Sequence, residues 1–185
     1  LALLADHEIA ASTLAARVAA SVWADPYAAV IAGMGATGGA LHGGASLRVE
    51  ALLAEIGDPA NTSRVLAQRL RSGERIPGFG HLVYKDGDGR AEVLLDALRA
   101  AAPGHEELAL ADAVLREAER RRLPAPNIDL ALGTFSRTAG MIPGGGEAIF
   151  VIARTVGWLA HALEEYNDRP SRFRRMSAGR STSHR

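Results

Sequence analysis

The sequence predicts an all-α fold. Apolar residues recur at spacings of three and four through successive stretches, glycine or proline separates those stretches, and no series of alternating apolar and polar residues reads as a set of strands. There is no internal repeat and no long linker.

The first helix is predicted from residue 1 to about 22. It is rich in Ala, Leu and Val, with His7 near its start. Asp25-Pro26 then marks a new start, because Asp caps a helix and Pro suits its first turn, and a small, apolar helix follows over 27–36. Gly38-Gly39 and His42-Gly43-Gly44 mark a close backbone approach. Two helices fit 47–56 and 61–72, divided by Gly57-Asp58-Pro59 as stop and restart. Residues 76–90, IPGFGHLVYKDGDGR, read as a loop, since Pro77 and four glycines discourage a continuous helix. Helices over 91–102 and 105–122 come next, and the basic run Arg120 to Arg122 suits a solvated carboxyl end. After Pro124-Ala125-Pro126 a helix begins with Asp129 in its first turn. Pro143-Gly144-Gly145-Gly146 breaks the chain again, and a hydrophobic helix over 147–166 carries Trp158. The Arg- and Ser-rich tail over 171–185 is expected to be extended or disordered.

Composition narrows the function. With 185 residues, 48% of them hydrophobic, the chain can bury a core as one domain or as two unequal lobes. Lys+Arg and Asp+Glu balance at 21 each, so no global basic field draws nucleic acid, and an anionic ligand needs a local cationic cluster. The absence of cysteine excludes a disulfide framework, a thiolate zinc site and a cysteine nucleophile, and agrees with a reducing cytoplasm. No apolar run is long enough to span a membrane and no signal peptide is visible. The chain starts at Leu1, already in helical material, so an upstream part is expected.

Three chemistry-bearing groups, His7 in ADHE, His81 in GFGH and Asp129 in PNID, lie far apart in sequence, each beside a helix start or a glycine loop. Taken singly, each histidine reads more readily as structural, and only the fold can bring them together. Together they hold what is needed to remove a proton alpha to a carbonyl: an aspartate base and a neutral imidazole donor for the enolate oxygen. A metal site does not fit. There is no HExxH or CxxC, and His42 has no partner at ligand spacing. A phosphate loop fails too, because no glycine run leads into Gly-Lys-Ser/Thr. Arg90, Arg154 and Arg169 are candidates for gripping carboxylates. Arg154 sits in the apolar stretch FVIARTVGWLAH, where an unpaired charge is costly, so it requires an anion from either the protein or a ligand.

ADHE (5–8) with AST (11–13), ALHGGA (40–45), PGFGHLVYKDGDGRA (77–91), PNID (126–129) and ARTVGWLAH (153–161) with RP (169–170) resemble the citrate synthase family in order and spacing. The resemblance implies a multihelical dimer with a large and a small domain. Residues 1–7 would end a large-domain segment, 8–130 form the small, CoA-handling domain, and 131–170 return to the large domain. It implies that Asp129 removes a methyl proton from acetyl-CoA, His7 steadies the enol and His81 polarises the carbonyl of oxaloacetate. The citryl thioester is then hydrolysed to citrate and CoA. Arg90 and Arg154 would grip oxaloacetate, Phe150 would pack against it, and Arg169 would reach into the partner subunit's site. Ile76, Gly78 and Gly80 would recognise the adenine of CoA, with Lys85 and Asn127 contacting phosphate or pantetheine. Acyl-CoA is thus a cosubstrate, and no permanently bound cofactor or metal is implied.

Gly89 stands where the family usually has Pro, and Ala10 where many relatives have Asn. Family members are also commonly much longer. The absent half would carry most of the large domain, much of the dimer interface and a further substrate-binding histidine. A 2-methylcitrate synthase using propionyl-CoA and a helical subunit needing a partner chain remain as alternatives. A citryl-thioester lyase ranks below them, because ARTVGWLAH and RP look more like the synthase.

Overall fold

The structure, a computed structural model, describes residues 1–39, 42, 44–81, 83–85 and 87–169. Expectations falling on residues 40, 41, 43, 82, 86 and 170, and the extended tail over 171–185, lie outside the described residues. The order of elements is α1 (Ala2–Ala5), α2 (Ala11–Ser21), α3 (Pro26–Thr37), α4 (Ala45–Ile56), a 3₁₀ turn (Pro59–Asn61), α5 (Thr62–Arg71), α6 (Gly89–Ala101), α7 (Glu106–Arg120), α8 (Ile128–Thr138) and α9 (Gly145–Tyr166). Among the described residues the only strand-like pairing is an isolated bridge between Phe79 and Pro126, so the fold is all-α.

Most starts and stops follow from local chemistry. Asp25 accepts the amide of Ala28 at 2.9 Å with Pro26 in the first turn of α3, and Gly57 ends α4 at φ +63°. Asp88 caps α6, so Gly89 and Arg90, expected in the loop, belong to that helix instead. The single helix expected over 1–22 is broken in two. Asp6 is extended, Glu8 takes φ +55°, and α2 starts only at Ala11. Ala-rich composition permits a continuous helix, but tertiary contacts override it. The carbonyl of Leu4 accepts Arg154 Nε at 2.8 Å and the backbone of Ala5 lies against Gly157, both on α9. His7 therefore sits in a bend, not on a helix.

The core forms around α8. Leu130 joins Val49, Leu52, Leu53 and Ile56 of α4, Val65 and Leu66 of α5 and Leu110 and Val114 of α7 in one apolar cluster. On its other side Ile128, Ala131 and Leu132 pack with Leu4, Ala91, Leu95 and Ala153. Each fully buried aliphatic side chain contributes roughly 2 kcal/mol of transfer free energy, so α8 is held from both faces. A third cluster of Ala20, Ala29 and Ala162 joins α2, α3 and α9 through small residues. There Gly33 admits the ring of the fully buried Trp158, to which a methyl group would stand 2.6 Å away. Among the described residues no helix is long and apolar enough to cross a membrane.

Candidate active site

Asp129 is delivered by the first turn of α8. The side chain of Asn127 accepts the Asp129 amide at 3.0 Å and donates Nδ2 to the Gly80 carbonyl at 2.8 Å. Two main-chain bonds, Asn127 to Gly78 at 2.9 Å and Gly80 to Ala125 at 2.8 Å, strap loop 76–81 to that helix start. The loop requires its glycines. Gly78 has φ +85°, and a side chain there would meet Cβ of Leu130 at 2.9 Å. The strap brings His81 to Asp129.

The bend before α2 brings His7 and the turn before α4 brings His42. Both line, with His81, Asp129, Arg90, Phe150 and Arg154, a cleft of about 220 Å³. Six of the residues singled out from sequence, His7, His81, Asp129, Arg90, Arg154 and Phe150, thus share one cavity. Ile76, Gly78, Gly80 and Asn127 line a second cleft, with Arg48, Arg69 and Arg75. Lys85 is exposed and does not line it. Arg169 is exposed beyond the end of α9 and lines neither cleft.

Burial raises the Asp129 carboxyl to about 6 against the pull of Arg90 and Arg48, with Asp88 adding to the rise. The imidazoles move the other way. Burial, then Arg90 and Arg154, lowers His7; burial, then Arg90, lowers His81; burial, then Arg154, lowers His42. Near neutral pH the cleft therefore holds a carboxylate that accepts a proton readily and three neutral imidazoles. The Nδ1 of His81 accepts the amides of Val83 at 3.0 Å and Tyr84 at 3.2 Å, which assigns its proton to Nε2 as a donor. The Nε2 of His42 is held by Oγ of the fully buried Ser12 at 2.9 Å, and the ring stands edge-on to Phe150 at 6.1 Å.

The two arginines differ. Arg90 forks onto Asp88 with two bonds of 2.9 Å, and Asp88 also accepts the amide of Ile128 at 2.9 Å. Burial works against the ionised Asp88, but Arg90 holds its carboxyl below the usual range. Arg154 is 2% exposed, donates Nε to Leu4 and stacks 4.8 Å from the Phe150 centroid. Among the described residues no carboxylate forms an ion pair with it. Sequence reading missed three neighbours. His42 was weighed only as a metal ligand, whereas its Gly-rich turn was the available signal. Asp88 carried the signature of a residue capping a helix. Tyr84, whose ring lies 4.9 Å from His7 and 4.8 Å from His81 with Arg90 over its face, carried none, and its hydroxyl meets His7.

The family description "citrate synthase, C-terminal domain" matches residues 1–176. The chain belongs to the citrate synthase family. Citrate synthase 2 of Bacillus subtilis is 38% identical over 175 residues, 91% of this chain and 46% of that protein. The 2-methylcitrate synthase of Mycobacterium tuberculosis is 38% identical over 166 residues, 88% of this chain and 42% of that one. The chain thus spans less than half the length of these two curated relatives. The citrate synthase structure from Thermotoga maritima matches at a TM-score of 0.83 with 32% identity, over 99% of this chain and 52% of that one. The citryl-CoA lyase of Hydrogenobacter thermophilus matches at 0.82 with 28% identity, over 100% and 73%. The Thermoplasma acidophilum citrate synthase, solved as a ternary complex with carboxymethyl coenzyme A and oxaloacetate, matches at 0.81 with 30% identity, over 99% and 51%. All of these agree with an all-helical citrate synthase fold.

Proposed function

We propose that the protein containing this chain condenses acetyl-CoA with oxaloacetate to give citrate and CoA, with the reacting groups in the His7–His81–Asp129 cleft. The single observation that carries this reading is a proton-accepting Asp129 facing neutral imidazoles and a buried Arg154 that no carboxylate among the described residues pairs with. A guanidinium so buried needs an anion, and a dicarboxylate supplies it.

Asp129 removes a methyl proton from the thioester, and the charge that develops on the enolate oxygen is stabilised by a donated hydrogen bond. The enol carbon attacks the keto carbon of oxaloacetate while His81 Nε2–H donates to the keto oxygen. Water then hydrolyses the citryl thioester and releases CoA. His7 is surrounded by Arg90, Arg154 and His81, so we assign it to the dicarboxylate end. His42, oriented by Ser12, takes the enol-donor role that the resemblance gave to His7. Acyl-CoA lies along the cleft of Ile76, Gly78, Gly80 and Asn127, with Arg75 toward the phosphates; the phosphate role of Lys85, exposed outside that cleft, rests on the resemblance alone.

The domain division at residues 8–130 and 131–170, a homodimer completed by Arg169, and a cytoplasmic setting belong to the same reading. Exposed Leu14, Val18, Val22, Tyr27 and Ile31 on and beside α2 and α3 support a further subunit surface. Propionyl-CoA is the second reading, favoured by the equal identity to a 2-methylcitrate synthase.

Release of free thiol from acetyl-CoA and oxaloacetate by the 185-residue chain, absent with Asp129→Ala, is the expected result; propionyl-CoA in parallel ranks the two acyl donors. A folded chain that binds oxaloacetate but releases no thiol assigns turnover to the assembled protein. One that binds neither substrate overturns the reading.

A further inference from the structure

Three residues on one stripe of α9 hold the three residues that precede His7. Arg154, at the cleft end, donates Nε to the carbonyl of Leu4 at 2.8 Å. Gly157, one turn on, lies against the carbonyl of Ala5, where any side chain would collide. His161, a further turn along, places Nε2 3.2 Å from Oδ1 of Asp6. Spacings of three and four put these positions on a single helix face, so the clamp is a property of the helix and not of one contact.

The last contact is itself supported. Arg17 of α2 sets Nη1 2.8 Å from Nδ1 of His161 and is anchored to Glu164 Oε2 at 2.6 Å and Glu165 Oε1 at 2.5 Å. A guanidinium only donates, so Nδ1 accepts and the ring proton is on Nε2, directed at Asp6. Glu164 also lies 3.4 Å from Nδ1. Burial opposes the ionised Asp6, yet the backbone amide of His7 and then His161 hold its carboxyl below the usual range. Asp6 directly precedes His7 in the chain, so its contact with the α9 imidazole lies one peptide unit from His7.

We propose that His161 is a positioning residue for His7, acting through Asp6, so that α9 fixes the imidazole with the same face that presents the Arg154 guanidinium. The inference rests on the reading of the cleft given above, but its test does not require turnover. Loss of the His161–Asp6 bond frees residues 6–8 to move, and His7 then leaves its half-buried place beside Arg90 and Arg154.

The experiment is ¹³C-detected titration of the histidine rings in the 185-residue chain, comparing wild type, His161→Ala and His161→Gln, with circular dichroism as the folding control. In His161→Ala the His7 resonance is expected to move and its midpoint to rise toward the ordinary value of 6.5, while His42 and His81 hold theirs. His161→Gln, whose amide can donate to Asp6 and accept from Arg17, is expected to restore the wild-type His7 signal. An unmoved His7 in folded His161→Ala overturns the proposal, as does a shift of all three rings together or a failure of Gln to restore. A clean His7 shift in a chain that binds neither substrate leaves this inference standing and removes the proposed reaction instead.

Discussion

Asp129 experiences two opposed influences, burial that raises its carboxyl and the nearby Arg90 and Arg48 that lower it, and burial wins. A base poised at about 6 is ionised at neutral pH yet still binds a proton readily, the balance general-base catalysis favours. Thiol release should accordingly climb with an acid limb centred near 6, and a limb lying near 4 would remove Asp129 as the titrating base. Asp129→Ala should lower the rate by about 10²- to 10⁴-fold, the usual worth of such a group, measured at saturating substrate. Asp129, His81 and His7, which line one cleft, were singled out from sequence through the resemblance of PNID, GFGH and ADHE to a known family, since each histidine taken singly read as structural. His42 was not, because its partner Ser12 lies 30 residues away in sequence and only the packing of α2 beside the α4 turn joins them.

At the scale of elements, the strap between loop 76–81 and α8 decides whether His81 and Asp129 share a cleft. Gly78→Ala adds a side chain at φ +85° that meets Leu130 and Val49. Such a change is expected to lower stability by about 1–3 kcal/mol, read as a shift in the urea midpoint, whereas Gly89→Ala, with nothing near it and an ordinary φ, should be close to neutral. Equal midpoints for the two variants would show that the strap does not hold the loop. Helices with caps or glycine stops, α3 and α4 among them, were readable from sequence because their ends are local. The break between α1 and α2 was not readable, since its cause is a set of contacts with α9, some 150 residues downstream in the case of Leu4 and Arg154.

For the whole molecule, the site works against the fold that carries it. Asp129 is raised from 3.8 to about 6, so its folded form binds a proton more tightly than the unfolded chain does. Its stabilising contribution is therefore complete below 3.8 and is lost as pH rises through 6, amounting to about 3 kcal/mol at one shifted unit per 1.36 kcal/mol. Glu117 has the opposite sign. Arg120 first, against burial and with help from Arg121, holds it at about 2, below its ordinary 4.5. Its contribution is present above 4.5 and fades as pH falls toward 2, and solvent around Arg120 screens it to the order of 1 kcal/mol. Asp129→Asn removes the penalty without touching Glu117. The variant should then unfold at higher urea than wild type at pH 7.5, by about 1–3 kcal/mol, with the gap closing as pH falls from 6 toward 3.8. A variant that is less stable at pH 7.5, or whose difference from wild type is flat with pH, would mean that Asp129 is neither desolvated nor strained in the folded chain. The proposed base would then lose its physical foundation.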